Sequence, residues 1–424
     1  HDVVIGLRTI VALEEWLSSA ARARPDHAAV TAEGRTLTYA ELHERADELA
    51  RRLAVAPGDR VLTTLPPGLA FCELLHALPR RGAVLVPLDP RAAAAPEVPV
   101  GARREEALVE EIEPDAAHTV IHTSGTTGEP RPVVLTYANH AASAAASADA
   151  LGVQADDRWL CPLPLHHVGG LNVLVRSAIN RTTVVLHERF DAERVKAVLE
   201  AGEVTLASMV PTMLVRVREA GLSRAPGLRA IALGGGPVPP GLLDWAAQAD
   251  IPVVPVYGMT ETCSQVVAGS PGRALRGVQL RIAGDGEILI RGAMVAPRAA
   301  GADGWLHTGD LGRLDEAGLL HVEGRKKEVI VTAGENVAPL EVEAALLSHP
   351  AVADAGVAGL ADEIWGEAIT AFVVLNAPVK ADELLAWCRE RLDAFKVPKA
   401  VRVVDELPRN TNGKLLRDRL RATV

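Results

Sequence analysis

Short apolar runs recur along the first two thirds of the chain, and each ends in a loop with glycine or polar residues. The runs at 184–186, 204–208, 230–233 and 253–256 are typical of buried parallel strands, because strands covered on both faces carry few polar residues. Segments with helical apolar spacing lie between such runs. This alternation predicts an α/β fold whose loops meet at the carboxyl ends of the strands, where such sheets bind ligands.

Two helices are predicted near the start of the chain, at 11–22 and 40–54. Thr38 precedes the second of them, and Glu41 follows three residues later, which is the pattern of a capping box. A strand at 119–122 and an Ala/Ser-rich helix at 137–149 continue the α/β pattern.

The pattern changes after about residue 270. Short alternating segments at 279–283, 286–291 and 319–323 are separated by glycine-containing turns, which is typical of antiparallel strands. A charged stretch then precedes a small α+β unit, in which we expect helix 339–348, strands 351–358 and 368–375, helix 380–393 and strand 400–404. We therefore predict two domains, 1–326 and 327–424.

Charge and cysteine content exclude several classes of protein. Lysine and arginine number 44 against 54 aspartates and glutamates, so the net charge of −10 argues against a general nucleic-acid binder. The four cysteines lie far apart without a CxxC pair, which favours free thiols in a reducing compartment. No apolar run is long enough to span a membrane and no signal peptide is evident, so we expect a cytoplasmic protein.

The loop after strand 119–122 is the strongest local motif. It has the sequence TSGTTGEPR over residues 123–131. Backbone N–H groups of such a loop can surround a phosphate, and the hydroxyls and Arg131 add donors. The segment lacks the GK[ST] ending of a Walker A motif.

Four further segments carry candidate chemistry. Glu261 lies among hydroxyls in the sequence YGMTET at 257–262, which suits Mg²⁺ beside phosphates. Asp310 ends GWLHTGD at 304–310 and can accept hydrogen bonds from a ribose diol. The other two segments are GRKKE at 324–328, followed by GEN at 334–336, and LPRNTNGK at 407–414, which ends in Lys414.

Together and in this order, these segments resemble the adenylate-forming superfamily of acyl- and aryl-CoA synthetases, luciferases and peptide-synthetase adenylation domains. Within it, the chain is most similar to the o-succinylbenzoate–CoA ligases of menaquinone biosynthesis, through PLHHVGG at 164–170, GGGP at 234–237, YGMTETCSQ at 257–265 and GENVAP at 334–339. The resemblance implies a large N-terminal domain of layered parallel sheets and helices with a small β-barrel-like part. It also implies a small, mobile C-terminal α+β domain.

The resemblance assigns the ATP-binding residues. The β- and γ-phosphates would contact Thr123, Ser124, Gly125, Thr126, Thr127, Gly128 and Arg131, the last replacing the usual lysine. The adenine would be bracketed by Gly234, Gly235, Gly236 and Tyr257. Asp310 and Arg325 would bind the ribose hydroxyls. Thr260 would contact the α-phosphate, and Glu261 would hold Mg²⁺.

It also assigns the residues of the two half-reactions. Lys414 would be the catalytic lysine of adenylation, Lys327 the hinge, and Gly334 part of the tunnel for the pantetheine arm of coenzyme A. His167 would close over the acyl site. Candidates for the wall of that site are His166, Gly169, Ser208, Gly258, Met259, Ser264 and Gln265. Arg176 is the candidate cation for the second carboxylate of a dicarboxylic acid such as o-succinylbenzoate.

The implied activity is an AMP-forming acid–CoA ligase that uses ATP, Mg²⁺ and coenzyme A, most similar to those acting on o-succinylbenzoate. Three alternatives remain open from the sequence. They are another aromatic or fatty acyl-CoA ligase, a stand-alone adenylation enzyme that loads a carrier protein, and a nucleotide-binding pseudoenzyme. Small molecules are the expected partners, without nucleic acid or a membrane span, and a homo-oligomer is left open.

Overall fold

The computed structural model describes residues 13–91, 98–102, 107–124, 130–239, 241–409 and 415–422. Its helices are α1 Trp16–Ala23, α2 Tyr39–Arg52, α3 Leu69–Ala77, α4 Tyr137–Leu151, α5 Val168–Asn180, α6 Ala192–Glu200, α7 Pro211–Glu219, α8 Leu242–Gln248, α9 Pro339–Leu347, α10 Ala381–Arg389 and α11 Arg417–Ala422.

The strands of the described residues, in chain order, are β1 Leu13–Glu14, β2 Ala28–Ala32, β3 Arg35–Thr38, β4 Arg60–Thr63, β5 Val84–Pro87, β6 Glu111–Ile112, β7 Ala117–Ser124, β8 Pro130–Thr136, β9 Arg158–Cys161, β10 Thr183–Leu186, β11 Leu206–Met209, β12 Ala230–Leu233, β13 Val253–Met259, β14 Ser264–Gly269, β15 Gly272–Ala274, β16 Gln279–Ile282, β17 Glu287–Arg291, β18 Leu306–Leu314, β19 Leu320–Arg325, β20 Ile330–Thr332, β21 Glu335–Val337, β22 Val352–Asp362, β23 Gly366–Leu375 and β24 Ala400–Val403.

The largest sheet joins a parallel half to an antiparallel half. Its order is β16-β17-β18-β19-β15-β14-β13-β12-β11-β9-β10-β2-β3, and the strands from β13 to β2 are parallel. Strands β10, β11 and β12 are wholly buried, which confirms the prediction from their apolar runs, whereas the predicted strand β13 is half-buried along its length. Strand β9, which was not predicted, is almost wholly buried too. In place of a separate barrel sheet, the antiparallel strands extend this sheet beyond β13.

A second sheet has the order β4-β5-β7-β8, with β8 antiparallel to β7. The sequence predicted a loop over 123–132, but the strands extend into it from both sides. Thr123 pairs with Arg131 and Ser124 with Pro130, and residues 125–129 lie outside the described residues. The described ends of the phosphate-loop motif therefore belong to two antiparallel strands.

A third sheet, β21-β20-β23-β22 with β24 beside β23, is built entirely from residues 330–403. Helices α9 and α10 pack on it around a core that includes Ile330, Val357 and Leu384. Arg417 of α11 forms ion pairs with Glu343 and Glu328. The elements follow the predicted order of the tail, while the domain boundary at 326 stays a prediction.

Local signals account for the ends of α2 and α4. The capping box of Thr38 and Glu41 is confirmed, because each side chain bonds the other residue's backbone. Thr136 and Asn139 form the same arrangement at the start of α4. Side-chain caps satisfy the N–H groups that a helix leaves unpaired in its first turn.

All four cysteines are buried free thiols. Among the described residues, no helix is long and apolar enough to cross a membrane. Within the same residues, no group of three or more histidine, cysteine, aspartate or glutamate side chains is arranged to hold a metal ion.

Candidate active site

Three predicted nucleotide-binding residues meet where β13, β18 and β19 come together. The Tyr257 hydroxyl donates to Oδ2 of Asp310 at 2.7 Å, and Nε of Arg325 lies 2.7 Å from Oδ1 of the same carboxylate. Asp310 and Arg325 are direct partners across β18 and β19. Burial, followed by the Asp310 charge, raises the pKa of Tyr257, so its hydroxyl remains a donor.

The ordering of Asp310 suits a ribose diol. The residue is only 4% exposed, and its two carboxylate oxygens are each held, one by a phenol and the other by a guanidinium. Arg325 also donates to the backbone oxygen of Thr308 at 3.3 Å, which anchors the guanidinium.

Glycines at the ends of β12 and β13 allow close contact with the neighbouring strands β13 and β14. A Cβ on Gly234 would lie 2.7 Å from Cγ2 of Val256, and one on Gly258 would lie 2.0 Å from the backbone oxygen of Ser264. Gly235 has a φ of +85°, in the left-handed region that favours glycine. Larger residues at Gly234 and Gly258 would therefore separate these strands. Gly236 is exposed at the same loop.

The turn after β13 carries the candidate metal ligand. Thr260–Thr262 form a single 3₁₀ turn, which contacts β8 of the second sheet. The buried Thr262 hydroxyl lies 2.9 Å from the N–H of Met259 and 2.7 Å from the backbone oxygen of Ser264. The turn therefore has a fixed shape next to β8.

Glu261 has the surroundings of a magnesium ligand. Its side chain is half-buried, and within the described part of the chain no cation or hydrogen-bond donor engages its carboxylate. Its backbone oxygen accepts from the N–H of Ala296 at 2.8 Å, which anchors the residue. An unengaged carboxylate on an anchored turn is the donor that Mg²⁺ prefers when it also binds phosphates.

Of the phosphate-loop motif, only residues 123–124 and 130–131 belong to the described residues. The Thr123 hydroxyl donates to the backbone oxygen of Arg131 at 3.3 Å, and Arg131 itself is exposed. The backbone of Ser124 belongs to β7. Four predicted residues lie outside the described residues: Gly125, Thr126, Thr127 and Gly128.

The two predicted acyl-site histidines are in contact. The rings of His166 and His167 are 4.2 Å apart, and burial lowers the pKa of both, that of His167 to about 4. Nε2 of each is buried without a hydrogen-bond partner among the described residues. Both imidazoles are therefore neutral near pH 7. Asp89, which the sequence reasoning missed, lies 3.9 Å from His166 and is held by Arg91.

Two glycines and Ser208 make close contacts near the two histidines and on β11. Gly170 allows α5 to start against the backbone oxygen of Pro164, which a Cβ would approach to 2.4 Å. Gly169 is half-buried on the same turn. The Ser208 hydroxyl accepts from the indole N–H of Trp159 at 3.0 Å, across β11 and β9.

Arg176 is a buried cation on α5. It is 2% exposed, and it donates to Oε1 of Gln265 at 3.3 Å and to the Ser143 hydroxyl at 2.8 Å. Its Nε has no hydrogen-bond partner, and no carboxylate pairs with it in the described residues. Burial lowers its pKa to about 10, so the side chain keeps its charge at neutral pH.

The sequence reasoning missed the polar residues behind this site. Ser143, His140, Asn172 and Thr119 are each at most 1% exposed and form hydrogen bonds with one another or with the carbonyl of Cys263. Asn172 interrupts the apolar segment 171–175, and an isolated polar residue in such a setting was the available signal.

Two predicted residues of the tail, Lys327 and Gly334, are described and form none of the contacts above. Lys327 is part of a 3₁₀ turn, Lys326–Glu328, that contacts β18. Gly334 has a φ of +84° at the exposed turn between β20 and β21, on the third sheet. Lys414 lies outside the described residues. The assigned roles of all the site residues stay predictions.

Comparisons with known proteins match the chain to two family models and to curated relatives. A family model described as AMP-binding enzyme matches residues 17–98 and 92–298, and a model of the AMP-binding enzyme C-terminal domain matches 341–414. A 2-succinylbenzoate–CoA ligase from Bacillus cereus is 38% identical over 475 aligned residues, which cover 97% of this chain and 98% of the relative.

Two solved structures of o-succinylbenzoate CoA synthetase (MenE) from Bacillus subtilis are similar in fold. One is a complex with the acyl-adenylate intermediate OSB-AMP, with a TM-score of 0.90, 36% identity and coverage of 97% of this chain and 98% of that one. The other contains ATP and a magnesium ion, with a TM-score of 0.89, 36% identity and coverage of 97% and 100%.

The buried His140 predicts that the fold weakens in mild acid. Burial lowers its pKa to about 4, whereas an unfolded histidine titrates near 6.5. Unfolding therefore takes up a proton between these values, and stability falls as the pH drops from about 6.5 towards 4. In His140→Gln, the pH dependence of the free energy of unfolding should become shallower by up to about 1.4 kcal/mol per pH unit. Urea titrations across this range test it, and an unchanged slope would contradict it.

Proposed function

The chain belongs to the family of AMP-binding enzymes, and from this premise we propose that it is an AMP-forming ligase that joins 2-succinylbenzoate to coenzyme A. The observation that carries the proposal is nearly full-length similarity to ligases named for this reaction, at 38% identity over 97% of the chain. The fold similarity to the enzyme solved with OSB-AMP supports the same substrate.

The first half-reaction forms a mixed anhydride. The carboxylate of the acid attacks the α-phosphorus of ATP, the bond to the β-phosphate oxygen breaks, and pyrophosphate leaves with the electron pair. Negative charge shifts onto the phosphate oxygens, so positioning and electrostatic stabilisation account for most of the catalysis. We assign this stabilisation to Lys414, Thr260 and the phosphate loop at Thr123–Arg131.

The Tyr257–Asp310–Arg325 cluster supports the assignment of the ribose site. The carboxylate of Asp310 is already oriented before ligand binds, since Tyr257 and Arg325 each hold one of its oxygens at 2.7 Å. Ordering it therefore costs little on binding. The Gly234–Gly236 loop and the ring of Tyr257 would flank the adenine.

Magnesium would be held at Glu261, where it would neutralise charge on the ATP phosphates and on departing pyrophosphate. The half-buried carboxylate, without a competing cation in the described residues, supports this assignment. Thr260, next to it on the same turn, is the proposed donor to the α-phosphate.

The second half-reaction exchanges AMP for coenzyme A. The thiol sulfur attacks the acyl carbon, the bond to the AMP phosphate oxygen breaks, and the thiol proton is lost to solvent. Lys414 must give way before the pantetheine arm enters past Gly334. We therefore propose that residues 327–424 form a domain that moves about a hinge at Lys327.

Arg176 is the proposed partner of the second carboxylate. 2-Succinylbenzoate carries one carboxylate that is activated and another that is not. A buried guanidinium without an acidic partner among the described residues is costly unless an anion neutralises it. The substrate's free carboxylate supplies such an anion, with Gln265 beside it as a hydrogen-bonding wall residue.

The remaining acyl-site residues suit an aromatic acid of this size. Neutral His166 and His167 at the start of α5 can contact a ring or a carboxyl group without adding charge. Ser208, Gly169, Gly258, Met259 and Ser264 are the proposed walls. We place the reaction in the cytoplasm, where ATP and coenzyme A are available, and a homo-oligomer is compatible with the proposal.

Replacement of Lys414 should separate the two half-reactions. Lys414→Ala should slow acyl-adenylate formation by about a hundredfold or more, because the transition state loses a cation. Thioester formation from supplied acyl-adenylate and coenzyme A should persist. Pyrophosphate release measures the first step and thioester formation the second. Lys380→Ala, an exposed lysine at the start of α10, is the control and should affect neither. Equal losses in both steps would refute the assignment.

Replacement of Arg176 should weaken binding of the acid. Arg176→Ala should raise the KM for 2-succinylbenzoate by about 10- to 100-fold, since a charge-assisted hydrogen bond is worth about 1.5–3 kcal/mol. The KM for ATP should change less than about threefold. Arg181→Ala at the end of the same helix is the matched control and should leave both constants unchanged. An unchanged KM for the acid would remove Arg176 from the pocket.

A further inference from the structure

Two consecutive residues after the candidate magnesium turn have left-handed backbones without being glycine. Cys263 has a φ of +51° and Ser264 a φ of +87°. Residues with side chains adopt such conformations only when the surroundings hold them there. They directly follow the 3₁₀ turn Thr260–Thr262. The contacts that hold the backbone of these two residues therefore also fix the orientation of the turn that carries Glu261.

The backbone oxygen of Cys263 is the atom that the surroundings hold. It accepts from Nδ2 of Asn172 on α5 at 2.7 Å and from the Ser143 hydroxyl on α4 at 2.7 Å. Both donors are 1% exposed, and they lie 91 and 120 residues away along the chain. One carbonyl thus ties the turn to two helices.

A chain of hydrogen bonds orients Asn172 in turn. Oδ1 of Asn172 lies 2.8 Å from Nδ1 of His140, and Nε2 of His140 lies 3.0 Å from the Thr119 hydroxyl. The amide oxygen can only accept, so His140 carries its proton on Nδ1. Nε2 of the neutral ring then accepts from Thr119. Nδ2 of Asn172 faces the Cys263 carbonyl and Oδ1 faces the Nδ1 proton of His140, which gives the Asn172 amide a single orientation.

The chain joins the two elements that the proposed function places around the phosphates of ATP. Thr119 lies on β7, which leads into the phosphate loop, and Cys263 follows the turn of Glu261. A second branch runs from Arg176 through Ser143 to the same carbonyl. The Cys263 thiol contacts the same residues: its Sγ lies 3.5 Å from Nδ2 of Asn172 and 3.4 Å from Nδ1 of His140.

We propose that Asn172, oriented by His140 and Thr119, is a positioning residue that holds the Thr260–Glu261 turn in register with β7 for binding of MgATP. It acts through the carbonyl of Cys263 and touches no substrate. This inference rests on the proposed role of Glu261 as the magnesium ligand. Replacing a residue that orients a metal ligand without contacting the metal typically lowers metal affinity by about 10- to 100-fold.

The test compares binding of ATP with and without magnesium. Asn172→Leu keeps a similar volume but removes the donor to Cys263 and the acceptor for His140. Isothermal titration calorimetry should show affinity for MgATP lowered about tenfold, with affinity for ATP in EDTA changed less than about twofold. Val173→Ala, a fully buried neighbour on α5, is the control for general loosening of the helix and should retain the wild-type preference for MgATP.

Two further variants make each outcome decisive. Glu261→Gln should abolish the preference for MgATP. If it does and Asn172→Leu retains the preference, the positioning role is refuted while the role of Glu261 stands. If Glu261→Gln also retains the preference, both assignments fail. Should Asn172→Leu not fold, Ser143→Ala removes the other donor to the same carbonyl and should lower affinity for MgATP about threefold, and an unchanged affinity would refute the inference.

Discussion

Parallel pairing of β9, β11, β12 and β13 is the constraint on which the candidate site depends. These neighbouring strands run in one direction, so the segment that follows each of them emerges at one edge of the sheet. His166 and His167 follow β9, Ser208 lies near the end of β11, and the glycines 234–236 follow β12. Tyr257–Gln265 span the end of β13 and the turn after it. Residues distant in sequence thus reach one site without long loops.

The described part of the candidate site contains few cationic side chains, and Arg325 and Arg176 each have their own hydrogen-bond or ion-pair partners. The chain as a whole has a net charge of −10, although the proposed ligands are all anions. Arg325 is paired with Asp310, and Arg176 is held by Gln265 and Ser143 instead of an acidic partner among the described residues. A paired cation orients its carboxylate for a diol, whereas a cation held by neutral groups keeps its charge for an incoming carboxylate. Composition alone does not reveal this difference.

Features that depend on residues close together in the sequence could be predicted from it. The apolar runs of β10 to β13, the capping box at Thr38 and the order of elements in the tail depend on local pattern. The contact of Tyr257 with Asp310 was expected only through the family resemblance, as residues around one nucleotide. The hydrogen bond from Asn172 to Cys263 joins positions 91 residues apart, and no local pattern encodes it. The same holds for the burial of Arg176 and the approach of Asp89 to His166.

The central claim is that the chain activates an acid with a second carboxylate and transfers it to coenzyme A. The most direct measurement compares 2-succinylbenzoate, benzoate and a long-chain fatty acid by pyrophosphate release and by formation of the CoA thioester. We expect a kcat/KM for 2-succinylbenzoate at least about a hundredfold above those of the other two acids, because their binding would leave Arg176 buried without an anionic partner. Equal use of benzoate or the fatty acid, or pyrophosphate release without a CoA thioester, would contradict it.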